Sequence, residues 1–82
     1  ENNAQANYFM GQLYALDEPP NYRQAIKYYV KSVKSQDSDA AMALGKAFEL
    51  GLGMAVNYNK ALNLYMIARK FGSEVAQESI DR

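Results

Sequence analysis

The residues AQANYFMGQLYAL (Ala4 to Leu16) recur as SDAAMALGKAFEL (Ser38 to Leu50), 34 positions later. In that alignment Ala6 meets Ala40, Gly11 meets Gly45, Leu16 meets Leu50, Met10 faces Leu44 and Tyr14 faces Phe48. A second block, NYRQAIKYYVKSVKS (Asn21 to Ser35), recurs as NYNKALNLYMIARKF (Asn57 to Phe71) at an offset of 36. The difference between the offsets falls wholly in the connector between the blocks. An internal repeat of this period is the mark of an array of small helical units, none of which buries its apolar face alone.

Each block carries helical periodicity. Tyr22, Ala25, Ile26, Tyr29, Val30 and Val33 form one continuous stripe at helical spacing, repeated as Tyr58, Ala61, Leu62, Tyr65 and Met66. The last helix has a second apolar stripe, Leu64, Ile67 and Phe71, as a helix sandwiched between neighbours requires. Asn21, Asn57, Asp37 or Ser38, and Ser73 are placed as N-caps, and Gly51 and Gly72 as C-terminal caps. Pro19 and Pro20 close the first helix and lead into the second. No segment alternates with period two, so no strand is expected. The predicted fold class is all-α: a short right-handed α-solenoid of antiparallel helix pairs, with two units (about 4–37 and 38–73) and a partial third over 74–82. The chain starts at Glu1 without a Met, and it reads as a fragment of a longer array.

Composition narrows the chemistry. The chain has no Cys and no His, so thiolate chemistry, disulfides and the commonest general base and metal ligand are absent together. Acidic and basic residues balance at nine each, so no net field recruits nucleic acid or anionic membrane. Apolar runs of a few residues exclude a membrane-spanning helix.

The pattern Ala40, Leu44-Gly45, Phe48, Gly51-Leu52-Gly53-Met54, Asn57-Tyr58, Lys60-Ala61 and Tyr65 resembles the Sel-one-like repeat, a relative of the tetratricopeptide repeat. The first unit matches through Ala6, Met10-Gly11, Tyr14, Asn21-Tyr22, Ala25 and Tyr29, but its connector DEPP lacks both glycines and is two residues shorter, closer to a generic tetratricopeptide repeat. The resemblance covers nearly the whole chain; in the third unit Asp81 stands where the glycine would fall. It implies an adaptor or scaffold in which Gly51-Leu52-Gly53 bends the chain between paired helices. A phosphate cradle would need a preceding strand or a Lys/Ser at the helix entrance, and Met54-Ala55-Val56 supplies neither.

Gly11 and Gly45 are read as close-packing positions, since a mid-helix glycine costs about 1 kcal/mol relative to alanine and needs a packing reason. Tyr14, Tyr29, Phe48 and Tyr65 lie on core stripes. Acid pairs such as Asp37/Asp39 and Glu74/Glu78 imitate a catalytic dyad but sit at helix N-termini, where caps and dipole partners belong.

Function is expected on first-helix residues that miss the core stripe, because the first helices of helix-pair solenoids line the concave side. Gln5, Tyr8 and Gln12 project there from the first unit, and Met42, Lys46 and Glu49 from the second. The expected activity is non-catalytic capture of a peptide or protein partner, with Tyr8 as an aromatic anchor. No cofactor, metal, small-molecule substrate or membrane is called for. The basic series Arg23, Lys27, Lys31 and Lys34 reads as a solvated outer face; the alternative is recognition of an acidic or nucleic-acid partner through it. With two units and a fragment, and only Val75, Ala76 and Ile80 to cover Leu64, Ile67 and Phe71, the piece is expected to be marginally stable or to self-associate through an exposed end.

Overall fold

Four N-caps of one kind set the helices in a computed structural model that describes residues 3–72. Asn3, Asn21, Asp37 and Asn57 each accept a hydrogen bond on a side-chain oxygen from the backbone N–H three residues on, at 3.0–3.2 Å. They open α1 (Ala4–Ala15), α2 (Tyr22–Lys34), α3 (Ser38–Leu50) and α4 (Tyr58–Lys70). Of the two candidates at the third start, Asp37 is the cap; Ser73 lies outside the described residues. Among the described residues there is no strand.

The helices form two antiparallel pairs, α1 on α2 and α3 on α4, and α2 packs on α3 to join them. Where α2 turns into α3, Gln36 takes a left-handed φ of 66°, and where α4 ends Gly72 takes 98°. These positions are 36 apart, so the two units place a left-handed residue at the same point after their second helix. Gly51 ends α3 in the left-handed region at φ 72°.

The two connectors differ in length yet close on the same bond. The Asn21 N–H donates to the Tyr14 carbonyl and the Asn57 N–H to the Phe48 carbonyl, each at 2.9 Å. In the longer connector Gly53 (φ 77°) lies against α2 of the preceding unit, where an added Cβ would stand 2.8 Å from Tyr22 Cβ. That contact gives the second glycine an architectural role: it lets the bend seat on Tyr22 and Ile26.

The main core cluster joins Ala25 and Tyr29 of α2, Ala40 and Leu44 of α3 and Leu64 of α4. A smaller one pairs Ala41 with Ala68. Ser32, the equivalent of Ala68, is fully buried, and its hydroxyl donates to the Ala4 carbonyl at 2.6 Å, fastening the start of α1.

The sequence expectation for α4 is corrected in one respect. Leu64 is only 9% exposed and Ile67 is half-buried against the core, whereas Tyr58, Leu62 and Met66 are 71%, 46% and 48% exposed. The uncovered stripe is therefore Tyr58–Leu62–Met66. The physical reason is position: its α2 equivalents Tyr22, Ile26 and Val30 are half-buried because the next unit's connector and α3 lie beside them, and no described element follows α4. Val75, Ala76 and Ile80 lie outside the described residues.

Candidate interaction surface

Glycine positions α1 and α3 for the site. On Gly11 an added Cβ would stand 2.6 Å from Tyr29 Cε1, and on Gly45 2.8 Å from Tyr65 Cε1, so each first helix lies directly against a tyrosine ring of its partner. Those rings are buried, at 5% and 7% exposure. Their hydroxyls emerge on the first-helix side: Tyr29 donates to Gln12 Oε1 and Tyr65 to Glu49 Oε1, both at 2.5 Å.

Gln12 and Glu49 are therefore structural acceptors, a role that side-chain spacing alone does not disclose. They occupy different helical positions, Gln12 one residue after its glycine and Glu49 four after, so the two units reach the same bond from adjacent turns. Burial raises the Tyr29 hydroxyl to about 12, with smaller contributions from Tyr8 and Tyr22. Burial likewise raises Tyr65 strongly, followed by its hydrogen bond to Glu49 and that carboxylate's charge.

Four of the expected residues line two recesses. Gln12 and Lys46 come together on the lining of a narrow recess of ≈ 170 Å³ whose other walls include Tyr22, Ala25, Tyr29 and Ala47. Gln5 and Tyr8 line a separate open recess of ≈ 560 Å³ with Asn3, Phe9, Asp37 and Asp39. Tyr8 is half-buried, its ring centroid 6.0 Å from that of Tyr29, so it contributes to the core as well as to the surface; the expectation that it buries little is corrected. Its hydroxyl is raised by burial first, then by Asp39 and Asp37. Met42 is half-buried against the Ala41–Ala68 cluster and turns mostly inward. Gln5, Lys46 and Glu49 are exposed. Asp37 and Asp39, read from the sequence only as cap and dipole partners, share the Tyr8 recess; their closeness to Tyr8 depends on how α3 crosses α1, which periodicity does not give.

The order of these pieces, paired helices stacked by left-handed turns and presenting polar side chains over a small apolar floor, defines a helical-repeat scaffold. The Sel1 repeat family model matches residues 4–37 and 38–68. The chain belongs to the Sel1 repeat family, whose members are generally protein–protein interaction modules and non-catalytic scaffolds. Among curated proteins it is 30% identical over 76 residues to DAP3-binding cell death enhancer 1 of Rattus norvegicus, covering 93% of this chain and 15% of the relative. A putative sel1-like repeat-containing protein of Acanthamoeba polyphaga mimivirus is 33% identical over 67 residues, or 82% of this chain and 12% of the relative. The chain thus spans a small part of the length of these relatives. Among solved structures, a Sel1 repeat protein from Oxalobacter formigenes matches with a TM-score of 0.88 and 28% identity, over 96% of this chain and 33% of that one. Helicobacter pylori cysteine rich protein B matches with a TM-score of 0.85 and 28% identity, over 94% and 59% respectively.

Proposed function

We propose that the chain holds an extended peptide or a loop of a partner protein along the side formed by α1 and α3, and that it carries out no chemistry on it. The observation that supports this most is the joint lining of one apolar-floored recess by Gln12 and Lys46, from different units. A small pocket with an amide and an ammonium at its mouth accepts an apolar side chain while the polar groups meet the flanking backbone. Tyr8 and Gln5 extend the contact toward the other end of α1, where Asp37 and Asp39 favour a cationic residue. Lys46 favours an acidic one. Met42 and Glu49 complete the surface mainly by holding its shape. The rat relative is named for binding DAP3, which accords with a protein partner.

We further infer that the chain acts within a longer array, its units being 4–37 and 38–73 with a third begun by 74–82. The support is chemical: α1 exposes Phe9 and Leu13, whose equivalents on α3 are the half-buried Ala43 and the buried Ala47, while α4 exposes the equivalents of the α2 residues that meet α3.

The test is selection of peptides from a displayed library on the ¹⁵N-labelled chain, followed by amide shift mapping. Shifts centred on α1 and α3, and at least tenfold weaker binding by Lys46→Ala with Gln5→Ala at unchanged circular dichroism, are the expected result. Shifts centred on α2 and α4, unaffected by that pair, would refute the site.

A further inference from the structure

Charge in this chain is balanced in total, and among the described residues the second helices carry cations alone. α2 carries Arg23, Lys27, Lys31 and Lys34, α4 carries Lys60, Arg69 and Lys70, and neither contains an acidic residue. Seven of the nine cations therefore lie on the second helices. A helix that needs only solubility gains by alternating signs, because Glu–Lys pairs at i, i+4 stabilise it and like pairs destabilise it by about 0.2–0.5 kcal/mol each. On α2 the like pairs Arg23–Lys27 and Lys27–Lys31 take those positions instead. The helix dipole accounts for Lys31 and Lys34 in the last turn, but Arg23 stands in the first turn, at the positive end.

All four cations are exposed; Lys27, Lys31 and Lys34 border apolar surface, whereas Arg23 lines a separate recess with Asp17 and Glu18. A shallow groove of ≈ 400 Å³ is lined by Lys27, Lys31 and Lys34 together with Ile26, Val30 and Tyr28. Lys31 Nζ sits 5.1 Å from the centroid of the Tyr28 ring, which keeps that ammonium beside the groove.

We propose that the outer face of α2 is a second docking surface, distinct from the α1–α3 side, and that its occupant is an acidic amphipathic helix of a partner protein. Charge complementarity chooses an anion. The aliphatic wall of Ile26 and Val30 chooses among anions, since it gives a leucine-type side chain a place to bury and gives a phosphate backbone nothing. Lys27 and Lys31 stand four residues apart, about 6 Å of helix rise, which matches carboxylates at i, i+4 on an antiparallel partner helix.

The experiment is fluorescence anisotropy of the whole chain with a labelled synthetic helix bearing Glu at successive i, i+4 positions and Leu beside them. Controls are a peptide of the same composition in scrambled order and a single-stranded oligonucleotide. Binding of the patterned helix at least tenfold tighter than either control, lost on Lys27→Glu with Lys31→Glu and unaffected by Lys46→Ala, is expected. Equal binding of scrambled and patterned peptides, tighter binding of the oligonucleotide, or no effect of the charge reversal at unchanged circular dichroism overturns the proposal.

Discussion

The Tyr29 ring lies over Gly11 so closely that a methyl group on the glycine would stand 2.6 Å from Cε1. The backbone carbonyl of Ala25, 3.1 Å from the same point, blocks the obvious escape. Gly11→Ala and Gly45→Ala are therefore expected to destabilise the fold by about 1–3 kcal/mol, although helix propensity alone favours alanine by about 1 kcal/mol. Urea denaturation decides between them: an unchanged or raised midpoint would reject the packing assignment.

The hydroxyls of those rings give a graded pair. Tyr29→Phe removes a bond to a neutral amide and is expected to cost about 0.5–1.5 kcal/mol. Tyr65→Phe removes a bond to the exposed Glu49 carboxylate and should cost more, because charge-assisted bonds are the stronger class. Replacing Glu49 by Gln should narrow the difference. Equal losses for both phenylalanine variants, with Glu49→Gln silent, would mean that the Glu49 charge adds nothing to its bond.

Alkaline stability follows from burial of the same groups. The fold holds Tyr29 neutral up to about 12, whereas the unfolded side chain ionises near 10. Its contribution is therefore complete below about pH 10 and is lost as pH rises toward 12, because the unfolded state releases its proton first. Thermal melts between pH 9 and 11.5, about the range where tyrosines titrate, should show a falling midpoint whose slope is shallower in Tyr29→Phe. Parallel slopes would remove Tyr29 from the account.

Equivalent positions in the two units should respond in opposite ways. Ile26→Lys places a charge beneath the Gly53 connector and is expected to unfold the chain or lower its midpoint severely. Leu62→Lys, at the matching but exposed position in α4, should change stability by no more than about 0.5 kcal/mol and suppress any concentration-dependent mass in sedimentation. Similar losses at both positions would show that α4 is covered in solution.

Much of this architecture is legible before any coordinates. The repeat offsets, the caps at Asn21 and Asn57, the two packing glycines and the Gly51 bend are local facts, each written in a few neighbouring residues; the Asn3 cap of α1 is seen only in the structure. What escaped is relational. Helical spacing placed Tyr58, Leu62 and Met66 on one stripe with Ala61 and Tyr65, but only the presence of the next unit decides which edge of that stripe is covered. It likewise put Gln12 and Glu49 on the concave side without revealing that a tyrosine of the paired helix reaches through to each. The recess shared by Gln12 and Lys46 depends on the crossing of α1, α2 and α3, a distance no periodicity encodes.

The common closure of the two connectors, Asn21 N–H to the Tyr14 carbonyl and Asn57 N–H to the Phe48 carbonyl, separates loop length from helix register. A four-residue DEPP turn and a longer glycine bend deliver the next cap to the same address. Segments between those anchors can then differ in length while the two helices they join keep their register, provided that whatever replaces Gly53 still seats on Tyr22 and Ile26. An engineer grafting a binding loop into such an array has a defined splice point at each end, marked by an aromatic carbonyl and an asparagine amide.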